Sequence, residues 1–180
     1  MKNILICGVA KSGKSYLSKK ICQKYKYNHI PIDYFTSSFK HNYPEIGITS
    51  NIIIDKNSSK NLALFLSRII NIIDNNNDDD LYILDSAHLY PEDIINYIDL
   101  NKWDIYFLGY PDTTVDKKFI EIRKYIHNGW PADKTDDELK IIIKELINIS
   151  KEIEKQCIIH NIKFINTSNF DNINHYFKKI

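Results

Sequence analysis

Eight residues near the start of the chain, Gly8-Val9-Ala10-Lys11-Ser12-Gly13-Lys14-Ser15, constrain its fold more than any other stretch. They match GxxxxGK[ST] in full. They also stand between the apolar run Asn3 to Cys7 and a segment, Lys14 to Tyr25, with Leu17 and Ile21 on one helical face. A strand that turns through glycine into a helix can curl its backbone so that successive N–H groups point inward, while the helix start adds partial positive charge at the same spot. Such a loop holds phosphate. Lys14 is placed to reach the β- and γ-phosphates of a nucleotide, and the Ser15 hydroxyl to bind Mg²⁺. A dinucleotide-binding loop is disfavoured, because the chain contains no GxGxxG.

The remaining signals alternate strand and helix, the pattern of an α/β domain on a parallel sheet. Asn28 to Ile32 is predicted as a second strand ending at Asp33. Tyr34 to Asp55, with Pro44 and Gly47, is predicted as loop with short helical turns. Leu62, Leu66, Ile69, Ile70 and Ile73 recur at helical spacing and predict a helix over Ser59 to Asp74, capped by Ser58 or Ser59. Leu81 to Leu84 is the third strand, ending in Asp85, and Pro91 opens a helix to about Leu100. Trp103 to Leu108 is the fourth strand. Thr113 or Thr114 caps a helix reaching His127, which Asn128-Gly129 and Pro131 break. Thr135 and Glu138 form a capping box for a long helix to about His160; Ile162 to Ile165 is the fifth strand, and a last helix starts near Asp171.

With 180 residues, a single domain over residues 1–180 is expected. Lys+Arg 24 against Asp+Glu 23 gives a formal net charge of +1, so no broad basic surface points to a nucleic-acid polymer or an anionic membrane. Cys7, Cys22 and Cys157 have no metal-ligand spacing and suit reduced thiols in a cytoplasmic protein. The run Ile4 to Cys7 is read as a buried strand and not as a signal peptide, and no stretch reaches the roughly twenty apolar residues of a membrane span.

Several side chains then become candidates for chemistry. Asp85 closes an apolar strand and is expected at Mg²⁺, directly or through water. Asp33 should emerge on the same sheet edge as Gly8 and Asp85, where a carboxylate can orient an acceptor hydroxyl and take its proton. Tyr34, Phe35, Phe39 and Tyr43 offer either an aromatic wall for an acceptor or core packing. Arg68 and Arg123 are the chain's two arginines. Arg123 precedes the Asn128-Gly129-Trp130-Pro131 break, so it is expected either to bring a guanidinium onto a transferring phosphate from a lid, the favoured reading, or to form a surface ion pair, whereas Arg68 faces either the acceptor or a surface acid. Lys117, Lys118 and Lys124 are read as a solvated helix face, His88 as a hydrogen-bonded loop histidine, and Thr167 as a residue near the nucleotide base or in a capping turn.

Taken together, Gly8 to Ser15, Asp33, Asp85 and Arg123 resemble the P-loop small-molecule kinases, which include nucleoside and nucleoside-monophosphate kinases. The resemblance implies a three-layer P-loop NTPase fold: a five-stranded parallel sheet of order 2-3-1-4-5, helices on both faces and a small helical lid. It further implies an ATP- and Mg²⁺-dependent phosphotransferase with Lys14, Asp33 and Arg123 as catalytic residues, Gly8 to Ser15 and Thr167 at the nucleotide, and Ser15 and Asp85 at the metal. Residues 35–75 would form the acceptor-binding insertion, with Asp33, Tyr34, Phe35 and Arg68 at the acceptor, and residues 113–133 the lid-like segment. So few arginines favour a hydroxyl acceptor, such as a nucleoside or similar metabolite, over a nucleoside monophosphate. The alternatives are an NTPase and a nucleotide-binding regulatory module without transfer. A monomer or homodimer is expected.

Overall fold

The first strand explains why the sheet has helices on both sides. In Asn3–Gly8 (β1) Leu5 and Cys7 pack with one core cluster and Ile4 and Ile6 with another, all of them buried. Successive strand residues face opposite ways, so β1 must lie centrally with both faces covered. A computed structural model, describing residues 1–76, 79–125 and 128–169, has this arrangement. The strands β1, Asn28–Pro31 (β2), Tyr82–Ser86 (β3), Trp103–Gly109 (β4) and Lys163–Asn166 (β5) run parallel in the order β2-β3-β1-β4-β5. The expected order is therefore observed. The two outermost strands have four residues each, and β2 closes on Pro31.

Lys14–Tyr25 (α1) covers one face through Leu17 and Ile21, which meet Ile4, Ile6, Ile83 and Leu108. On the other face Lys56–Asp74 (α3), Pro91–Ile94 (α4) and Asp136–Ile159 (α6) bring Leu62, Leu66, Ile94, Leu139 and Leu146 onto Leu5, Leu84 and Phe107. Each such fully buried aliphatic side chain contributes about 2 kcal/mol from desolvation. Helix α6 starts as its sequence predicts: the Thr135 side chain accepts from Glu138 N–H, and the Glu138 side chain accepts from Thr135 N–H at 2.9 Å.

Three boundaries differ from expectation. Asp33–Asn42 is a helix (α2), followed by a 3-10 turn at Pro44–Ile46. Its one fully buried side chain is Thr36, so it lacks the apolar stripe that marks a helix in sequence. Helix α3 begins at Lys56, capped by Asp55, whose Oδ1 accepts from Ser58 N–H at 2.8 Å. Ser59 is turned inward, donating to Asp93 at 2.6 Å and accepting from Tyr90 N–H. Helix α4 gives way to a 3-10 turn at Ile95–Tyr97 well short of Leu100. Val115–Tyr125 (α5) follows Thr114, whose Oγ1 accepts from Lys117 N–H. His127 and the helix predicted from Asp171 lie outside the described residues.

Candidate nucleotide and acceptor site

Parallel strands place their C-terminal ends at one edge of the sheet, and ligands of open α/β sheets bind in the crevice outside that edge. Here a cavity of about 660 Å³ opens between the glycine loop and the start of α2. Ala10, Lys11, Gly13, Lys14 and Ser15 line one side; Asp33, Thr36, Ser37 and His88 line the other.

Close packing sets the loop's path. Gly8 has φ 132°, and a Cβ there would lie 1.9 Å from the Leu108 carbonyl oxygen, so only glycine lets β1 turn this tightly against β4. Val9 N–H then donates to that carbonyl at 3.1 Å. Gly13, at φ 95°, leads into α1, whose first N–H groups have no partner within the helix. Lys14 is buried and donates through Nζ to the Val9 carbonyl at 2.8 Å, folding its ammonium back over the loop.

Three observations suit this loop to a polyanion. Burial pushes the Lys14 ammonium below its usual range, with Asp85 and Asp33 pulling the other way. Burial, and then the charge of Lys14, do the same to Lys11. Two destabilised cations side by side gain when phosphate neutralises them. The Ser12 hydroxyl is also buried with no hydrogen-bond partner among the described residues, an uncommon state for such a group, and a phosphate oxygen in the loop would satisfy it. Ser15 is exposed at the start of α1, and Asp85 is buried at the end of β3, with its Oδ2 3.5 Å from His29 Nε2. Ser15 lines the cavity and Asp85 does not; a hydroxyl and a carboxylate are ligand types that a hard cation takes together with phosphate and water.

Asp33 stands exposed at the cavity, as first residue of α2 and not as the end of a strand. Opposite it is His88, whose Nε2 lies 3.8 Å from Asp33 Oδ1. Burial lowers the imidazole's affinity for a proton, and Lys14 and Lys40 add to this, against the pull of Asp33. His88 is thus a wall of the cavity and not merely a loop histidine.

Other expected site residues lie elsewhere. Tyr34 is 75 % exposed and does not line the cavity. Phe35 and Phe39 pack on Phe65 of α3, with centroids 5.8 and 4.9 Å apart, so they join α2 to α3. Arg68 lines a separate cleft of about 280 Å³ with Asp74 and Tyr97. Arg123 is turned toward the α5–α6 connection: it donates to the carbonyls of Pro131 and Lys134, both at 2.8 Å, and pairs with Asp136 at 2.7 Å. Thr167 is buried, and both its N–H and its hydroxyl donate to the Gly109 carbonyl, tying the end of β5 to β4. Lys118 corrects the reading of a solvated lysine face. It is buried under the Tyr110 ring and paired with Glu121, while Tyr110 OH donates to Ala10 O in the loop.

The cavity also has walls not singled out as site residues in the sequence, three of them within the 113–133 segment expected as a lid. Tyr16, Glu121, Tyr125 and Trp130 line its outer side, and the Lys11 ammonium lies 5.6 Å from the Trp130 ring centroid. Thr36 and Ser37 follow from Asp33 by a turn of helix, a signal that became readable only once α2 was known. Tyr16 is the immediate neighbour of Ser15, and its adjacency to the loop was the available clue.

No protein-family model matches the chain, and no curated protein matches it. Solved structures do. A shikimate kinase from Bacteroides thetaiotaomicron superimposes with a TM-score of 0.58 at 16 % identity, covering 93 % of this chain and 87 % of that one. A shikimate kinase from Acinetobacter baumannii, in complex with shikimate, gives 0.53 at 11 % identity, covering 91 % and 82 %. By architecture, then, this chain has the fold of the P-loop small-molecule kinases, with its GxxxxGK[ST] loop leaving the central strand of the sheet.

Proposed function

We propose that the protein is an ATP- and Mg²⁺-dependent phosphotransferase acting on a hydroxyl of a small uncharged metabolite, such as a nucleoside. The observation that carries this reading is one cavity in which a cationic glycine loop on one side faces a carboxylate, Asp33, on the other. The fold shared with two shikimate kinases supports it.

In this reading the loop amides, Lys14 and the Ser12 hydroxyl hold the triphosphate, and Ser15 and Asp85 hold Mg²⁺. The ion supplies further neutralisation of charge on the phosphates. Asp33 accepts a hydrogen bond from the acceptor hydroxyl and orients its oxygen toward the γ-phosphorus. As that oxygen–phosphorus bond forms, the bond from the γ-phosphorus to the β–γ bridging oxygen breaks, ADP leaves, and the hydroxyl proton passes to Asp33. Residues 35–75 form the acceptor side and residues 113–133 the cover of the cavity. Arg123 positions that cover through its bonds to Pro131 and Lys134, which hold Trp130 at the cavity. Neither arginine lines the cavity, and an anionic acceptor would meet Asp33 and Glu121 there, which argues against a nucleoside monophosphate.

The test is acceptor-dependent ADP release over a panel of nucleosides, sugars, polyols and nucleoside monophosphates. Asp33→Asn should keep ATP binding and lower turnover by about a hundredfold or more, the usual scale of a general base. ADP released equally fast without any acceptor would replace this reading with an NTPase. Tight ATP binding with no turnover under any condition would leave a regulatory module.

A further inference from the structure

Lys11 holds a backbone conformation that lysine rarely adopts. Its φ is 60°, in the left-handed region, where a Cβ crowds the following carbonyl. Such strain persists only where the surroundings enforce it, and residues of this kind turn successive N–H groups into an anion-binding hollow. The preceding residue shows what enforces it here. The Ala10 carbonyl accepts a hydrogen bond from the Tyr110 hydroxyl at 2.9 Å, across 100 residues of chain. Tyr110 is fully buried immediately after β4 and does not line the cavity, whereas Ala10 and Lys11 do. In a trans peptide the carbonyl and the next N–H point to opposite sides. Tethering the Ala10 carbonyl on the buried side therefore turns the Lys11 N–H toward the cavity.

We propose that Tyr110 is a positioning residue of the phosphate loop: its hydroxyl fixes the peptide between Ala10 and Lys11, so that the Lys11 N–H is set for a phosphate oxygen before any ligand arrives. Donors fixed in advance bind a charge without first reorganising. Burial, and then the charge of Glu121, push the Tyr110 phenol far above its ordinary range, so near neutral pH it keeps the proton that it donates. The Lys118 ammonium, 4.2 Å from the ring centroid and paired with Glu121, holds the ring from beneath. The neighbouring Val9 carbonyl is different, because its donor is Lys14, whose ammonium a phosphate draws to itself. The Ala10 carbonyl is held from outside the cavity, and its bond persists when the loop fills. This role goes beyond the phosphotransfer reading and does not rest on it. It needs phosphate in the loop and no transfer, so it stands equally for a kinase, an NTPase or a regulatory module.

Inorganic tripolyphosphate, which has neither base nor ribose, probes the loop alone. Tyr110→Phe removes the hydroxyl and keeps the ring. Calorimetry should find tripolyphosphate bound about fivefold more weakly by Tyr110→Phe than by the wild type, the scale of one lost hydrogen bond. Thr135→Ala, which also loses stability but lies away from the loop, should bind it as the wild type does. In the wild type the Lys11 amide signal should move saturably with tripolyphosphate, and in Tyr110→Phe it should move less. Equal affinity in Tyr110→Phe and the wild type overturns the proposal, as does an equal loss in Thr135→Ala, which would mark a general effect of stability. A Lys11 amide that stays still in the wild type overturns it too, and that measurement needs no variant to fold. The acceptor panel decides transfer separately. Acceptor-dependent ADP release with Tyr110→Phe binding like the wild type defeats this inference alone, and the expected binding results with no acceptor dependence defeat the phosphotransfer reading alone.

Discussion

At Gly8 a single hydrogen is all that separates a working loop from a steric collision with the Leu108 carbonyl. Gly8→Ala combines that overlap with a φ of 132°, so unfolding in urea should show a loss of about 3 kcal/mol or more. Lys14 has the opposite character, since keeping its ammonium buried costs the fold stability. Lys14→Met should therefore abolish nucleotide binding while leaving the free protein as stable as the wild type, or more so, near neutral pH. The sign with pH follows from the depressed value of Lys14 in the folded state. Between that value and the ordinary 10.5 Lys14 binds more protons in the unfolded chain, so its contribution to stability rises with pH in that window. Lys14→Met lacks this dependence, and its advantage in denaturant titrations should shrink as pH rises toward 10.5.

Among the elements, those with a local and redundant signal were legible. Helix α1 follows from the loop pattern and from Leu17 and Ile21, and α6 from a capping box followed by a long apolar stripe. The capping box predicts a number as well: Thr135→Ala should lower the unfolding free energy by about 1 kcal/mol. Because Thr135 lies away from the loop, MgATP affinity should be unchanged. Helix α2 was illegible for a physical reason. It lies on the surface with Thr36 alone fully buried, and its aromatic side chains Phe35 and Phe39 meet Phe65 of a helix distant in sequence. Lys118 was hidden in the same way. Nothing in Asp116-Lys117-Lys118 says which lysine will pass beneath Tyr110, because that depends on how α5 lies against β4.

For the whole molecule, the resemblance carried by one loop and three charged residues implied the strand order, and the sheet has it. The glycine loop leaving β1 and the placing of Asp33 at the same sheet edge, where it opens α2, were visible in advance. Parts supplied by distant segments, Trp130 and the facing of His88 to Asp33, were not, since periodicity carries no record of contacts across the sheet edge. If the loop holds the nucleotide as proposed, binding must stabilise the fold. MgATP at a hundred times its dissociation constant should add about 2.7 kcal/mol to the unfolding free energy, and Lys14→Met should show no such gain. Calorimetry on both proteins measures this directly.

The narrow rims of the sheet have a consequence for concentrated samples. A newly arriving strand would find on β2 a ladder of four residues in which Pro31 has no amide hydrogen, and β5, the other margin among the described residues, is equally brief and carries the Lys163 ammonium. Short, charged or proline-bearing margins of this kind resist fibrillar growth, so crowding this protein should not recruit copies through their backbones.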